Sequence, residues 1–133
     1  MRYVFSVLTV LMLLAVAVQY NDPDGPLWMV YYGVPAAWCF LAAFRPQVFA
    51  SALVRLPLTA TVAVWLVLTI VYWPPVSGFW HEQVWEMGKT DVQAAAIAEQ
   101  AREGMGLMIA TAVLIAVALW GLSRQARLRL KAS

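Results

Sequence analysis

The sequence is poor in the residues on which most metal and redox proteins depend. It contains one cysteine, Cys39, and one histidine, His81. A single cysteine excludes an intramolecular disulfide, and the pair cannot supply a bis-histidine haem or an iron–sulfur cluster within this chain. Charged residues make up only 12% of the 133 residues. That is too few to cover the surface of a soluble domain of this size.

Charge is entirely absent from four long segments, none of which contains Asp, Glu, Lys, Arg or His. Each segment has 18 residues, which is about 27 Å of helix at roughly 1.5 Å per residue. This length fits a hydrocarbon core of about 30 Å. The sequence therefore predicts four membrane spans, at residues 3–20, 27–44, 56–73 and 105–122.

The fourth helix should begin well before its span. Thr90–Gln93 reads as a capping box, and no glycine or proline follows it until Gly104. The predicted fold is all-α: a single four-span membrane domain over residues 1–133, a transmembrane four-helix bundle with an extended fourth helix from about residue 91. A short helix lying in the membrane interface is predicted near residues 79–87, with Trp80 and Trp85 at headgroup level.

The first span also has features of a signal peptide. Arg2 precedes it, and Ala15-Val16-Ala17 near its end is a small-x-small cleavage pattern. The apolar stretch reaches spanning length, however, and a second span follows after a tight turn. Retention of the first helix is therefore the favoured interpretation.

The charge distribution predicts the orientation. Seven of the nine basic residues precede the first span, lie between the second and third, or follow the fourth. All seven acids lie in the other two connections. The positive-inside rule then places both termini in the cytoplasm and both acidic segments outside. The expected location is the cytoplasmic (inner) membrane, where lipids are the predicted surroundings and nucleic acid is not expected as a partner.

The polar link between the first two spans is unusually rich in turn-forming residues. Pro23 should hold Asp22 in an extended conformation and end the first helix by about Asn21. Asp24 or Gly25 then occupies the N-cap position of the second helix, with Pro26 at its first helical position. Side-chain caps alone would explain this turn, but they leave open why two carboxylates are present.

The second span opens with aromatic residues and contains a proline. Trp28, Tyr31 and Tyr32 are typical of an interfacial aromatic belt. Pro35 lacks an N–H, so it frees a backbone carbonyl that a neighbouring helix must cover. Pro57 is predicted to start the third helix, where proline is tolerated.

A polar stripe marks the start of the fourth span. Glu99, Arg102, Glu103 and Gly106 fall at i, i+3, i+4 and i+7, which places them on one helical face. Gly106 marks a point where another backbone could approach closely. We expect Arg102 to be clamped between Glu99, Glu103 and one or both aspartates of the turn; a solvated charged face is the simpler alternative.

These motifs resemble those of the transmembrane protein 220 family, a group of small multi-span membrane proteins. The resemblance covers the first two helices and the start of the last span, on two sets of residues: Asn21-Asp22-Pro23-Asp24 with Trp28, Tyr31 and Pro35, and Glu99-x-x-Arg102-Glu103-x-x-Gly106-Leu107. It implies the membrane topology and singles out the same two polar clusters, without implying an activity.

Metal binding and catalysis have little support in the sequence. A zincin motif fails because Trp85 stands where the second histidine would be. His81 with Glu82 and Glu86 could still hold a divalent cation, and oxygen-rich ligation favours Ca²⁺ or Mn²⁺. A lone interfacial histidine is more often structural, so no cofactor is predicted. No nucleophile lies beside His81 in a triad-like arrangement.

The sequence therefore favours a non-enzymatic accessory, assembly or binding protein. Its outer acidic, aromatic-rich face would contact a protein partner, a lipid headgroup or a small cationic ligand. One alternative is an oligomeric transporter or channel subunit whose pore lies between protomers. A third is a membrane enzyme or metal protein that uses His81 and the outer carboxylates.

Overall fold

The computed structural model of the chain describes residues 1–73 and 92–132. Within these two ranges the structure is helical and contains no strand. Two short 3₁₀ helices, Gln19–Asn21 and Pro46–Ala50, connect the first three α-helices. The α-helices are α1 (Arg2–Val18), α2 (Gly25–Phe44), α3 (Ala52–Val71) and α4 (Val92–Ala132).

All four helices are long and apolar enough to cross a membrane. The predicted all-α polytopic fold with an extended fourth helix is thereby confirmed. The interfacial helix predicted near residues 79–87 lies outside the described residues, as do Trp80 and Trp85.

Helix α2 lies at the centre of the packing. It contacts α1 along one side and α4 along another, while α3 packs against α4. The buried side chains along the α2–α4 contact are mostly small or aliphatic, which allows two membrane helices to approach closely. They include Ala36, Cys39 and Ala42 of α2 and Leu107, Ala110, Leu114 and Val117 of α4.

The turn between α1 and α2 is as tight as its sequence predicts. Asp22 adopts an extended conformation (φ −82°, ψ 142°) directly before Pro23. The Gly25 amide donates to the Asp22 carbonyl at 3.0 Å. A Cβ added at Gly25 would overlap the backbone carbonyl of Gln19. Glycine is required here because the two backbones approach within the space of a side chain.

Pro35 does free a carbonyl, and a neighbouring helix covers it. In a regular helix the amide of residue 35 would donate to the carbonyl of Tyr31, but proline has no N–H. The indole Nε1 of Trp65, on α3, donates to that Tyr31 carbonyl at 3.1 Å. Trp65 is buried, so its bond satisfies a polar group that neither lipid nor backbone could satisfy.

Helix α3 begins earlier than predicted. Ser51 is its N-cap, with its hydroxyl accepting from the Leu53 amide at 3.2 Å. Pro57 is therefore the sixth helical residue rather than the first, so the predicted start at Pro57 is wrong. The Ser51 cap starts α3 at Ala52, about one and a half turns before Pro57.

Helix α4 continues past its span into the basic tail. It ends at Ala132, although residue 122 was predicted as its end. The residues after Gly121 are mostly arginine, leucine, alanine and lysine, with two serines, one glutamine and no glycine or proline. These residues favour helix, so nothing in the sequence stops α4 at the membrane boundary.

Buried threonines join α3 to α4. The hydroxyls of Thr69 and Thr111 are 2.8 Å apart, and Thr111 also donates to the Trp65 carbonyl at 3.2 Å. Hydroxyls inside membrane bundles typically bond to backbone or to neighbouring helices in this way. Among the described residues, no buried side-chain polar atom lacks a hydrogen-bond partner.

Candidate functional site

A polar pocket lies where the α1–α2 turn meets the first turns of α4. We call it the acidic pocket. It has a volume of about 280 Å³. The turn, the start of α2 and the polar part of α4 all contribute, and the lining residues are Gln19, Asp22, Asp24, Trp28, Tyr32, Glu99, Arg102 and Glu103.

Asp24 reaches the pocket because it does not cap its own helix. It occupies the N-cap position of α2, but its side chain makes no cap hydrogen bond. Its Oδ2 instead accepts from the indole Nε1 of Trp28 at 2.7 Å. The prediction of an Asx side-chain cap at this position is therefore wrong. A buried indole N–H needs an acceptor, and Asp24, four residues before Trp28, supplies it.

Helix α4 presents its polar stripe to the pocket because of where Gly106 lies. A Cβ at Gly106 would overlap the hydroxyl of Tyr32. The sequence suggested that another backbone approaches Gly106. In the structure an α2 side chain, that of Tyr32, makes the close approach instead. With Gly106 facing α2, helical spacing brings Glu99, Arg102 and Glu103 to the same side, one and two turns earlier.

The pocket carries a strong negative charge. Its four carboxylates outnumber its one guanidinium, which gives the lining residues a formal charge of −3. Partial burial raises the pKa of Glu103, the charges of Asp24, Glu99 and Asp22 raise it further, and the charge of Arg102 lowers it. One arginine does not balance four acids, so the formal charge of the lining residues is negative.

Aromatic rings form the floor of the pocket. Trp28 is only 2% exposed and Tyr32 only 8% exposed. The Trp28 ring meets Tyr31 and Tyr72 edge to face, at centroid distances of 5.3 Å and 5.6 Å. An interfacial belt would place these rings at the lipid surface, whereas Trp28 and Tyr32 are packed between helices. Only Tyr31, which is half-buried, keeps part of its ring at the surface.

A family model described as "Transmembrane family 220, helix" matches residues 11–119. The chain belongs to transmembrane family 220. No solved structure matches it. The family match confirms the resemblance noted in the sequence, and it spans both polar clusters of the acidic pocket.

Not every predicted site residue of this family 220 chain lies in the pocket. Asn21 is exposed at the end of the 3₁₀ turn and is not a lining residue. His81, Glu82 and Glu86, the residues of the metal alternative, lie outside the described residues. Within residues 1–73 and 92–132, no group of three His, Cys, Asp or Glu side chains could hold a metal ion.

Sequence reasoning missed the roles of three lining residues. Gln19 was not assigned to the site, and Trp28 and Tyr32 were assigned to an interfacial aromatic belt. One signal in the sequence could have found Trp28. It follows Asp24 by four residues, the spacing that brings two side chains together on a helix. Tyr32 had no such signal, because its partner Gly106 lies on another helix.

Proposed function

We propose that this chain is a non-enzymatic binding protein of the cytoplasmic membrane whose acidic pocket receives a small cationic group. The group would be carried by a protein partner, a lipid headgroup or a free ligand. The observation that carries the proposal is the convergence of four carboxylates and one guanidinium on one pocket of about 280 Å³. Four carboxylates around one small cavity create a negative potential that concentrates cations there.

The size and floor of the pocket favour an organic cation. A volume of about 280 Å³ is at the lower end of the range for small-molecule sites, which suits a single ammonium-bearing headgroup. Trp28 and Tyr32 line the pocket as well, and aromatic side chains are common neighbours of bound ammonium groups.

The chemistry of the lining residues favours binding over catalysis. Serine, cysteine and histidine are absent from the residues that line the acidic pocket, so it holds no nucleophile with an adjacent base. An acid–base pair drawn from its glutamates is the remaining enzymatic alternative. Turnover of a substrate by the purified protein would support that alternative.

The proposed orientation places the acidic pocket outside the cell. Arg2, Arg45, Arg55 and the arginines after the fourth span lie at the opposite end of the helices from Asp22 and Glu103. This distribution supports cytoplasmic termini through the positive-inside rule. The pocket would then meet ligands or partners on the outer face.

Binding can be tested on the purified full-length protein in detergent. Thermal unfolding would be followed with choline, ethanolamine and sodium chloride at equal ionic strength. We expect choline or ethanolamine to raise the Tm more than sodium does. Asp24→Asn should weaken the binding of ethanolamine at least about ten-fold, because a hydrogen bond between its ammonium and a carboxylate contributes roughly 1.5–3 kcal/mol. It should also weaken the binding of choline, which has no ammonium N–H, through the loss of charge.

Asp24→Asn is a selective variant, because the asparagine side-chain oxygen can still accept a hydrogen bond from the Trp28 indole. Glu103→Gln provides a second, independent removal of charge from the same pocket. Ala50→Lys is the matched control, since it makes the same change in net charge on an exposed residue at the other end of the helices. The proposal would be refuted if the amines raised the Tm of all three variants and of the parent protein by the same amount. It would also be refuted if neither amine raised the Tm of the parent protein.

A further inference from the structure

The opposite end of the bundle carries a second concavity, which we call the basic groove. It has a volume of about 1040 Å³ and lies between the start of α1, the end of α2 and the last turns of the α4 span. The ring of Phe5 meets that of Trp120 edge to face at 5.0 Å, which fixes the start of α1 beside α4. The groove is independent of the acidic pocket, because the two share no lining residue.

Three arginines line this groove: Arg2, Arg124 and Arg127. Two of them are held over aromatic rings. The Arg2 guanidinium carbon lies 5.2 Å from the Phe44 ring centre, and that of Arg124 lies 5.7 Å from the Trp120 ring centre. Such stacking orients a guanidinium and leaves its N–H groups available for an oxyanion. No acid is among the lining residues, so the groove has a formal charge of +3 from its arginines.

Below the arginines the groove is apolar. Ala116 and Leu119 of α4 are both exposed and line it. Ala116 precedes Arg124 by eight residues, which is about 12 Å along a helix at roughly 1.5 Å per residue. The groove therefore runs from charged groups beyond the uncharged span to an apolar wall within it. A ligand with an anionic head and a hydrocarbon chain matches both parts.

A general enrichment of positive charge on the cytoplasmic side does not explain this arrangement. Topology determinants need only lie on the correct side of the membrane. Arg45 and Arg55 meet that requirement without lining the groove, and Arg55 donates to the Gln125 side chain instead. The three groove arginines come from two helices at opposite ends of the sequence. They converge beside the same apolar wall.

We propose that the basic groove binds an anionic phospholipid, with its phosphate on the three arginines and an acyl chain along Ala116 and Leu119. Basic pockets between membrane helices recognise anionic headgroups through this combination of charge and apolar surface. The inference does not rest on the function proposed for the acidic pocket.

The test uses full-length protein purified in a neutral detergent and native mass spectrometry with added lipid. Phosphatidylglycerol should form a discrete one-to-one adduct and raise the Tm. Phosphatidylcholine of the same chains and free glycerol phosphate serve as comparisons. Each arginine near an anionic group is expected to contribute about five-fold in affinity, so the double variant Arg124→Gln/Arg127→Gln should lose roughly 25-fold.

Two further variants separate the effect of charge on lipid binding from the effects of groove shape and of misfolding. Arg45→Gln removes one basic residue from the same end without touching the groove and should bind as the parent does. Ala116→Trp fills the apolar wall and keeps every arginine, so it should also lose the adduct. Because Ala116 is exposed, this variant is expected to fold even if the arginine variants do not.

Three results would overturn the inference. Equal binding of phosphatidylcholine would mean that the groove does not recognise charge. An equal Tm shift with glycerol phosphate would mean that an anion alone is bound, without the acyl chain. A loss of about five-fold for Arg45→Gln, the loss expected for each arginine of the double variant, would mean that only the overall charge of this end of the protein matters.

Discussion

At the scale of single residues, the bond between Trp65 and the Tyr31 carbonyl shows how a proline is accommodated inside a membrane helix. Pro35 removes one backbone donor from α2, and an indole N–H from α3 replaces it at 3.1 Å. In water the carbonyl would be solvated at little cost. In a bilayer its only alternatives lie within the protein, so a side chain 34 positions away becomes part of the hydrogen bonding of α2.

This replacement predicts a specific coupling. Trp65→Phe should lower the free energy of unfolding by about 1–3 kcal/mol, the usual cost of leaving a buried acceptor unsatisfied. In a Pro35→Ala background the alanine amide can donate to the Tyr31 carbonyl, so the same change should cost less. Reversible unfolding in mixed micelles would measure both. Trp38→Phe is the control, because the Trp38 ring packs on Phe49, whereas the donor to the Tyr31 carbonyl is Trp65. Equal costs in the two backgrounds would argue against the replacement.

The contact between Gly106 and Tyr32 gives a second prediction at this scale. Gly106→Ala should destabilise the protein by about 1–3 kcal/mol, because extra atoms in a packed core force the surroundings to move. Tyr32→Phe should recover part of that loss, since the hydroxyl is the nearest atom to an added Cβ and the ring carbon beyond it remains at 3.0 Å. Thermal unfolding of the two single variants and the double variant measures the recovery. Additive effects would contradict the proposed contact.

At the scale of elements, two buried threonines join α3 to α4 by hydrogen bonds. Interhelical hydrogen bonds in membrane proteins average about 0.6 kcal/mol and reach about 1.7 kcal/mol. Thr69 and Thr111 share one bond and each also approaches a carbonyl of the opposite helix, at 3.5 Å and 3.2 Å. Together these bonds fix the rotation of α4 against α3, and hence which face of α4 is turned toward α2.

A double-mutant cycle with Thr69→Val and Thr111→Val should therefore give a coupling of about 0.6–1.7 kcal/mol. Valine keeps the shape and removes the hydroxyl. Thr59→Val is the control, because the Thr59 hydroxyl donates only within its own helix, to the Arg55 carbonyl at 2.9 Å. Steric trapping or unfolding in mixed micelles would report the coupling, and a value near zero would show that the two hydroxyls act independently.

Local patterns in the sequence predicted the helices well, but they did not predict which side chains meet between helices. Absence of charge identified the four spans, and Pro23 identified the conformation of Asp22, because both effects act within a few residues. Sequence alone placed Arg102 and the two glutamates on one face, since helical spacing is local. It could not identify Trp65 as the partner of Tyr31 or Tyr32 as the neighbour of Gly106. Those contacts depend on the rotation of one helix against another, which no local spacing encodes.

At the scale of the whole molecule, the two ends of the bundle differ in charge and in the kind of cavity they hold. The acidic pocket is small and polar, and the basic groove is larger and partly apolar. In the orientation that we propose from the positive-inside rule, the pocket would face outward and the groove would face the cytoplasmic leaflet, where anionic lipids supply negative surface charge.

Orientation gives a prediction that can be measured on intact cells. In a Cys39→Ala background, Asn21→Cys should react with a membrane-impermeant maleimide, because residue 21 is exposed at the acidic end. Gln47→Cys, exposed at the basic end, should react only after the membrane is permeabilised. Cys39 itself is 0% exposed, so its removal leaves both surfaces unchanged. Labelling of Gln47→Cys alone in intact cells would reverse the assigned orientation.

The contact of Gly25 with the Gln19 carbonyl also has a consequence for biogenesis. Because the two backbones touch at this turn, the connection between α1 and α2 is short and closed. The two helices can therefore pair as soon as both have left the ribosome. We expect them to insert into the bilayer together as a helical hairpin, carrying Asp22 and Asp24 across in a single step. Gly25→Val, which cannot close this turn, should leave a fraction of newly made chains with the hairpin uninserted and open to proteolysis.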